Sequence, residues 1–138
     1  MKITDLKLRF AKHYLFVELY TDAGITGLGE AGNWGFLSST ADAIMKFKPY
    51  LIGKDPFNAE DIMQNLYRAV YFRGSVIMSA ISAIDIACWD IKGKALGVPV
   101  YQLPDGLFCF FNFDGEEIVD YYGNYTGINS GEIGRAHV

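Results

Sequence analysis

The sequence predicts an α+β domain: a three-stranded antiparallel meander followed by a layer of three helices. Three observations carry this. Apolar and polar side chains alternate at period two through the opening segments. After residue 38, apolar residues recur at spacings of three and four instead. The change happens once, so strands and helices are segregated along the chain rather than interleaved.

The elements follow in order. Thr4 to Phe10 places Leu6, Leu8 and Phe10 on one side and Asp5, Lys7 and Arg9 on the other, a half-buried strand. Tyr14 to Thr21 is rich in aromatic and β-branched residues and reads as a second strand. Asp22-Ala23-Gly24 makes a short turn, and Ile25 to Glu30 returns as the third strand. Ser38-Ser39-Thr40 offers an N-cap for a helix whose stripe begins with Ala41, Ile44 and Met45, and Pro49 is expected to end or bend it. Asn58 with Asp61 resembles a capping box, with Ile62, Leu66, Ala69 and Val70 on the apolar face that follows. Arg73-Gly74 breaks that helix. Ile77, Ala80, Ile81, Ile84, Cys88 and Ile91 form the stripe of a third helix, with small residues suited to close packing, and Gly97 before Pro99 stops it.

The chain of 138 residues suits one domain and falls short of the roughly 250 that a closed eightfold strand–helix barrel takes. A formal charge of -4 argues against nucleic acid as a partner, since its binders present a basic surface. Two cysteines, Cys88 and Cys109, are too few for a disulfide framework. The first residues carry no secretory apolar region, and no uncharged run in the first hundred residues exceeds eleven, too short to cross a bilayer. The expectation is a cytoplasmic protein with no membrane partner.

Charge splits the chain. Residues 1–103 carry 11 Lys and Arg against 10 Asp and Glu, whereas residues 104–138 carry one Arg against six acids and 7 of the 21 aromatics. Pro104-Asp105-Gly106 is a turn, Leu107 to Phe113 an aromatic run prone to aggregation, and Gly115 to Ser130 has no period. Glu132 to Val138 reads as a translated sequencing adapter. The expectation is a domain at 1–103 and a non-native tail at 104–138, from a frameshift or misassembly.

The most informative passage runs from Ala83-Ile84-Asp85-Ile86-Ala87-Cys88-Trp89-Asp90 through Lys92-Gly93-Lys94-Ala95-Leu96-Gly97-Val98-Pro99 to Leu103. With Gly27-Leu28-Gly29-Glu30, Tyr50 to Pro56 and Tyr71-Phe72-Arg73-Gly74 in the same order, it resembles the N-terminal capping domain of the mandelate racemase and muconate lactonizing enzyme family of the enolase superfamily. Within that family it is most similar to sugar-acid dehydratases of the galactonate type. The resemblance covers residues 1–103. It implies a longer, homo-oligomeric parent enzyme that abstracts a proton next to a carboxylate, using magnesium to stabilise the enediolate. The metal's ligands and the acid and base would lie on a C-terminal barrel. The expectation is therefore no catalytic residue, no metal ligand and no bound cofactor here, an inactive fragment, and a sugar acid or other small carboxylic acid as the parent's substrate. Racemisation and cycloisomerisation are alternative parent activities. A free-standing interaction module, or the cap half of a split enzyme, is the alternative reading of the chain itself.

In the family, two capping loops close over the barrel mouth. One corresponds to Ala11-Lys12-His13-Tyr14 and the other to Ala31-Gly32-Asn33-Trp34-Gly35-Phe36. The resemblance implies substrate contacts for Lys12, His13, Asn33 and Trp34, with Arg73 meeting an anion or bracing the loops. The competing reading makes all five ordinary exposed loop residues. Other polar residues read as structural. Asp85 and Asp90, five apart, point about 140° from each other on a helix and cannot share a proton as an acid–base pair. Asp90 with Lys94 is an i,i+4 ion pair. Cys88 on an apolar stripe is packing, and Gly27-Leu28-Gly29 lacks the third glycine of a dinucleotide loop.

Overall fold

The computed structural model describes residues 1–103 and, beyond them, the backbone at 109–110, 117–120 and 126–128. The chain separates into two compact units, Met1–Val100 and Tyr101–Val138. In the first, β1 (Ile3–Ala11), β2 (Tyr14–Thr21) and β3 (Thr26–Glu30) form an antiparallel sheet in the order β1-β2-β3. Then come α1 (Leu37–Leu51), α2 (Ala59–Arg68) and α3 (Ser75–Leu96). This is the α+β arrangement the sequence predicts. The second unit contains a short antiparallel sheet of β4 (Cys109–Phe110), β5 (Glu117–Asp120) and β6 (Thr126–Ile128). The side chains of residues 104–138, with the expectations placed on Cys109, His137, the aromatic run and the adapter-like end, lie outside the described residues. No described helix is long and apolar enough to cross a membrane.

The core lies between the sheet's inner face and the helices. Leu6 from β1 and Leu15, Val17 and Leu19 from β2 are buried there, against Ile44, Phe47 and Leu51 of α1, Ile62 and Leu66 of α2, and Ala80, Ile81, Ile84, Ala87, Cys88 and Ile91 of α3. The Val, Leu, Ile and Phe side chains among these contribute about 1.5–3 kcal/mol each when fully buried. The third strand presents no side chain to α3. Gly27 and Gly29 face the helix, and an added Cβ would lie 2.1 Å from the Ala87 carbonyl oxygen at one and 1.9 Å from that of Ala83 at the other. The two glycines let the alanine side of α3 lie directly on strand backbone. Gly97, left-handed at φ 68°, ends the helix, as the Gly97–Pro99 signal requires.

Both outer strands of the sheet are latched by ion pairs. Asp90 Oδ2 accepts the Leu28 backbone N–H at 2.7 Å, and Lys94 Nζ donates to Asp90 Oδ2 at 2.6 Å and to the Thr26 carbonyl at 2.7 Å. At β1, Lys48 Nζ bridges the Asp5 carboxylate at 2.5 Å and the Leu6 carbonyl at 3.1 Å. The i,i+4 pair on α3 is thus structural, as expected, and it also occupies β3's free backbone groups.

Four local expectations are corrected. Pro49 does not end α1, which continues to Leu51. The carbonyl that loses its partner is that of Met45, a residue 44% exposed. The residue before α1 is Phe36, and Thr40 sits inside the first turn, donating its hydroxyl to the Phe36 carbonyl at 3.1 Å. Asn58 precedes α2 without a side-chain cap, and Ala69 and Val70 fall beyond the helix end at Arg68. Phe10 is 55% exposed, although its cross-strand partner Leu15 is fully buried.

Candidate functional site

Two loops lie at the hairpin end of the sheet, and a third leads into α3, whose Ser79 holds one of them. Ala11 pairs with Tyr14, so Lys12 and His13 alone make the turn, and Lys12 takes a left-handed backbone at φ 55° that non-glycine residues adopt only at a cost. Both residues are exposed. The loop after β3 starts level with the hairpin base, where the Ala31 N–H donates to the Leu15 carbonyl at 2.8 Å. Gly35, at φ 78°, closes a tight turn in which the Phe36 N–H donates to the Asn33 carbonyl at 2.9 Å. That turn thrusts Trp34 outward, 91% exposed. Asn33 Nδ2 donates to Thr40 Oγ1 at 3.3 Å, which pins the loop to α1, and Ser79 Oγ donates to the Gly32 carbonyl at 2.9 Å, which pins it to α3.

The third loop joins α2 to α3. Its Arg73 donates through Nη2 to the Tyr67 carbonyl at 3.2 Å and stacks its guanidinium 4.1 Å from the Tyr67 ring centroid. Arg73 therefore braces the end of α2. Tyr71 and Phe72 beside it are 97% and 86% exposed. The structure thus places Lys12, His13, Asn33 and Trp34 on two adjacent loops at one end, with Arg73 on the loop that leads into the α3 turn holding Gly32. Tyr71 and Phe72 were missed as candidates. Their signal is an aromatic pair inside a linker, ahead of Gly74.

Lys12 supplies a charged donor, His13 a donor or acceptor, and the aromatics an apolar wall. No nucleophile stands ready among the described residues: burial pushes the Cys88 thiol up to about 12. Burial also holds the Asp85 carboxyl above its ordinary value, with the Lys92 charge offsetting only part of the rise, while Asp90 is engaged with Lys94 and Leu28. Magnesium takes hard oxygen ligands, mostly carboxylates and water. No three His, Cys, Asp or Glu among the described residues converge to hold a metal ion, so these residues do not fit the ion and no chemical step of theirs runs through it.

An antiparallel meander under three helices is the enolase N-terminal class of domain. Residues 5–104 match the N-terminal domain of the mandelate racemase and muconate lactonizing enzyme family, and the chain belongs to that family. It is 50% identical over 109 residues to D-galactonate dehydratase of Xanthomonas axonopodis pv. citri (strain 306), spanning 78% of this chain and 28% of that protein. An enolase from Agrobacterium radiobacter, solved with Na and L-malate bound, superposes with a TM-score of 0.70 at 32% identity, covering 75% of this chain and 27% of the other. The 3,6-anhydro-D-galactonate cycloisomerase of Zobellia galactanivorans gives a TM-score of 0.65 at 34% identity, over 70% and 29%. The chain therefore spans under a third of the length of the relatives it matches.

Proposed function

We propose that this chain is the substrate-capping domain of a magnesium-dependent sugar-acid dehydratase, with its catalytic groups and metal on a C-terminal barrel. The 50% identity to a D-galactonate dehydratase carries the choice of activity, and the placing of two loops at the hairpin end supports the capping role. In this reading Lys12 and His13 bond the distal hydroxyls or carboxylate of the acid. Asn33 is held at the rim by Thr40, Trp34 covers the site and excludes water, and Arg73 fixes the loop that carries Tyr71 and Phe72. By itself the domain has no turnover.

The test is a chimera. Residues 1–103 replace the corresponding cap of the Xanthomonas axonopodis D-galactonate dehydratase, and dehydration of a panel of aldonic and aldaric acids is followed with magnesium. Turnover is expected, with Lys12→Ala and Trp34→Ala raising KM more than they lower kcat. A folded chimera that dehydrates no acid in the panel refutes the reading. The cycloisomerase neighbour favours a second activity on the same scaffold, and offering 3,6-anhydro-D-galactonate beside the open-chain acids separates the two, since elimination opens the anhydro ring without loss of water.

A further inference from the structure

In its first turn α1 buries a hydroxyl that its own backbone does not require. Thr40 is fully buried there. Its backbone N–H already donates to the Phe36 carbonyl at 3.0 Å, and its hydroxyl donates to the same oxygen at 3.1 Å. A hydroxyl has a single proton. With that proton on the Phe36 carbonyl, Oγ1 can only accept from Asn33, so the Asn33 amide turns its Nδ2 toward Thr40, at 3.3 Å. The other end of that amide, Oδ1, takes no bond among the described residues. The backbone around it is held: the Ala31 N–H by Leu15, the Gly32 carbonyl by Ser79 and the Phe36 N–H by the Asn33 carbonyl. Asn33 is thus a partly exposed side chain on a fixed backbone, and the group behind it sets which way round its amide lies.

We propose that Thr40 is a positioning residue for specificity: it makes Asn33 present its amide oxygen to the sugar acid, which selects a distal hydroxyl over a distal carboxylate. This rests on the reading of the loop end as the substrate-capping surface and narrows the class of acid that surface takes. The two distal groups differ in one respect that Oδ1 detects. A hydroxyl donates to it. A carboxylate has no proton to give at neutral pH and meets the oxygen's lone pairs. The second Nδ2 proton serves both groups as a donor, and so do Lys12 and His13, so none of these separates them. Discrimination comes from the polar atom that the wrong ligand leaves unsatisfied. The acids that fit carry one carboxylate and a neutral, hydroxylated far end; diacids fit less well.

D-Galactonate and galactarate differ only at the far end, a hydroxymethyl group against a carboxylate, and the 1–103 chimera described above is offered both. The preference is read as the ratio of kcat/KM where the chimera turns over, and as the ratio of calorimetric affinities where it does not. Thr40→Val keeps the side chain's shape and removes the hydroxyl, so the amide is free to turn either end outward. The preference for D-galactonate is expected to shrink about tenfold, the scale of one hydrogen bond, and to return in Thr40→Ser. Thr40→Ala replaces the valine variant if that one does not fold. An equal loss for both acids is what a merely structural role would give, and it overturns the proposal. An unchanged preference in Thr40→Val overturns it too, as does a chimera that binds neither acid. The two readings fail separately. A chimera that binds selectively through Thr40 without dehydrating sinks the dehydratase assignment alone, and an active chimera whose preference ignores Thr40 sinks the positioning alone.

Discussion

Gly29→Ala is the sharpest test of how the sheet and α3 fit together. The new Cβ would lie 1.9 Å from the Ala83 carbonyl oxygen and 2.9 Å from its carbonyl carbon. Ordinary carbon–oxygen contact needs over 3 Å, so the strand or the helix must retreat by more than an ångström. The obstacle is backbone, which cannot swing aside as the end of a flexible side chain does. Retreat also pulls α3 off β2 and stretches the bond from the Leu28 N–H to Asp90. Overpacking of this kind costs about 3 kcal/mol or more. That is a large share of the roughly 5–15 kcal/mol that holds a domain folded. The assay is urea denaturation of the 138-residue chain, followed by far-ultraviolet circular dichroism. Gly32→Ala is the control, since nothing lies within 4 Å of its added Cβ, and it is expected to stay within about 0.5 kcal/mol of the parent. Equal urea midpoints for Gly29→Ala and Gly32→Ala refute the close-packing argument.

Four further outcomes follow from the same geometry. Asp90→Ala removes the acceptor of the Leu28 N–H and one partner of Lys94; it is expected to cost about 1 kcal/mol and to speed amide exchange at Leu28. Asp5 and Glu18 have carboxyls held below their ordinary range, the first chiefly by the Lys48 hydrogen bond and the second chiefly by the Tyr20 hydroxyl. A depressed carboxylate stabilises the fold above its unfolded pKa and loses that effect as pH falls through the folded value. The melting temperature should therefore drop in the acid range below pH 4, and less so in Asp5→Asn. Lys12→Gly relieves the left-handed strain and is expected to be neutral or to stabilise by about 0.5 kcal/mol, measured by thermal melting, while weakening sugar-acid binding in the chimera. In a Cys109→Ser background, Cys88 should react with a thiol reagent only as fast as the domain opens, because it is buried and its thiolate is suppressed.

Much of the fold was legible because its signals are local and periodic. The alternation at Leu6 and Leu8 and the stripe from Ile77 to Ile91 each require only one buried face to be recognised. The errors arose where tertiary contact decides. Pro49 sits near the end of α1, where only one intrahelical N–H is lost, and the helix runs on to Leu51. Thr40 is buried against Asn33 and therefore bonds inward rather than capping. Gly27 and Gly29 had no reading beyond the lack of a dinucleotide loop; their reason is the backbone of α3, more than fifty residues away in sequence. The candidate site was legible only as loops. That Lys12, His13, Asn33 and Trp34 share one end follows from the register of β1, β2 and β3, but the Tyr67 stack that engages Arg73 has no sequence signature.

The latched sheet edges have a consequence for synthesis. In relatives more than three times the length of the match, this N-terminal domain leaves the ribosome first. It then waits on the order of tens of seconds, at about 5–20 residues per second, for the remainder to be made. During that wait an open strand edge invites pairing with neighbouring nascent chains. With Asp90 and Lys94 on one edge and Asp5 and Lys48 on the other, the newborn domain keeps its sheet to itself.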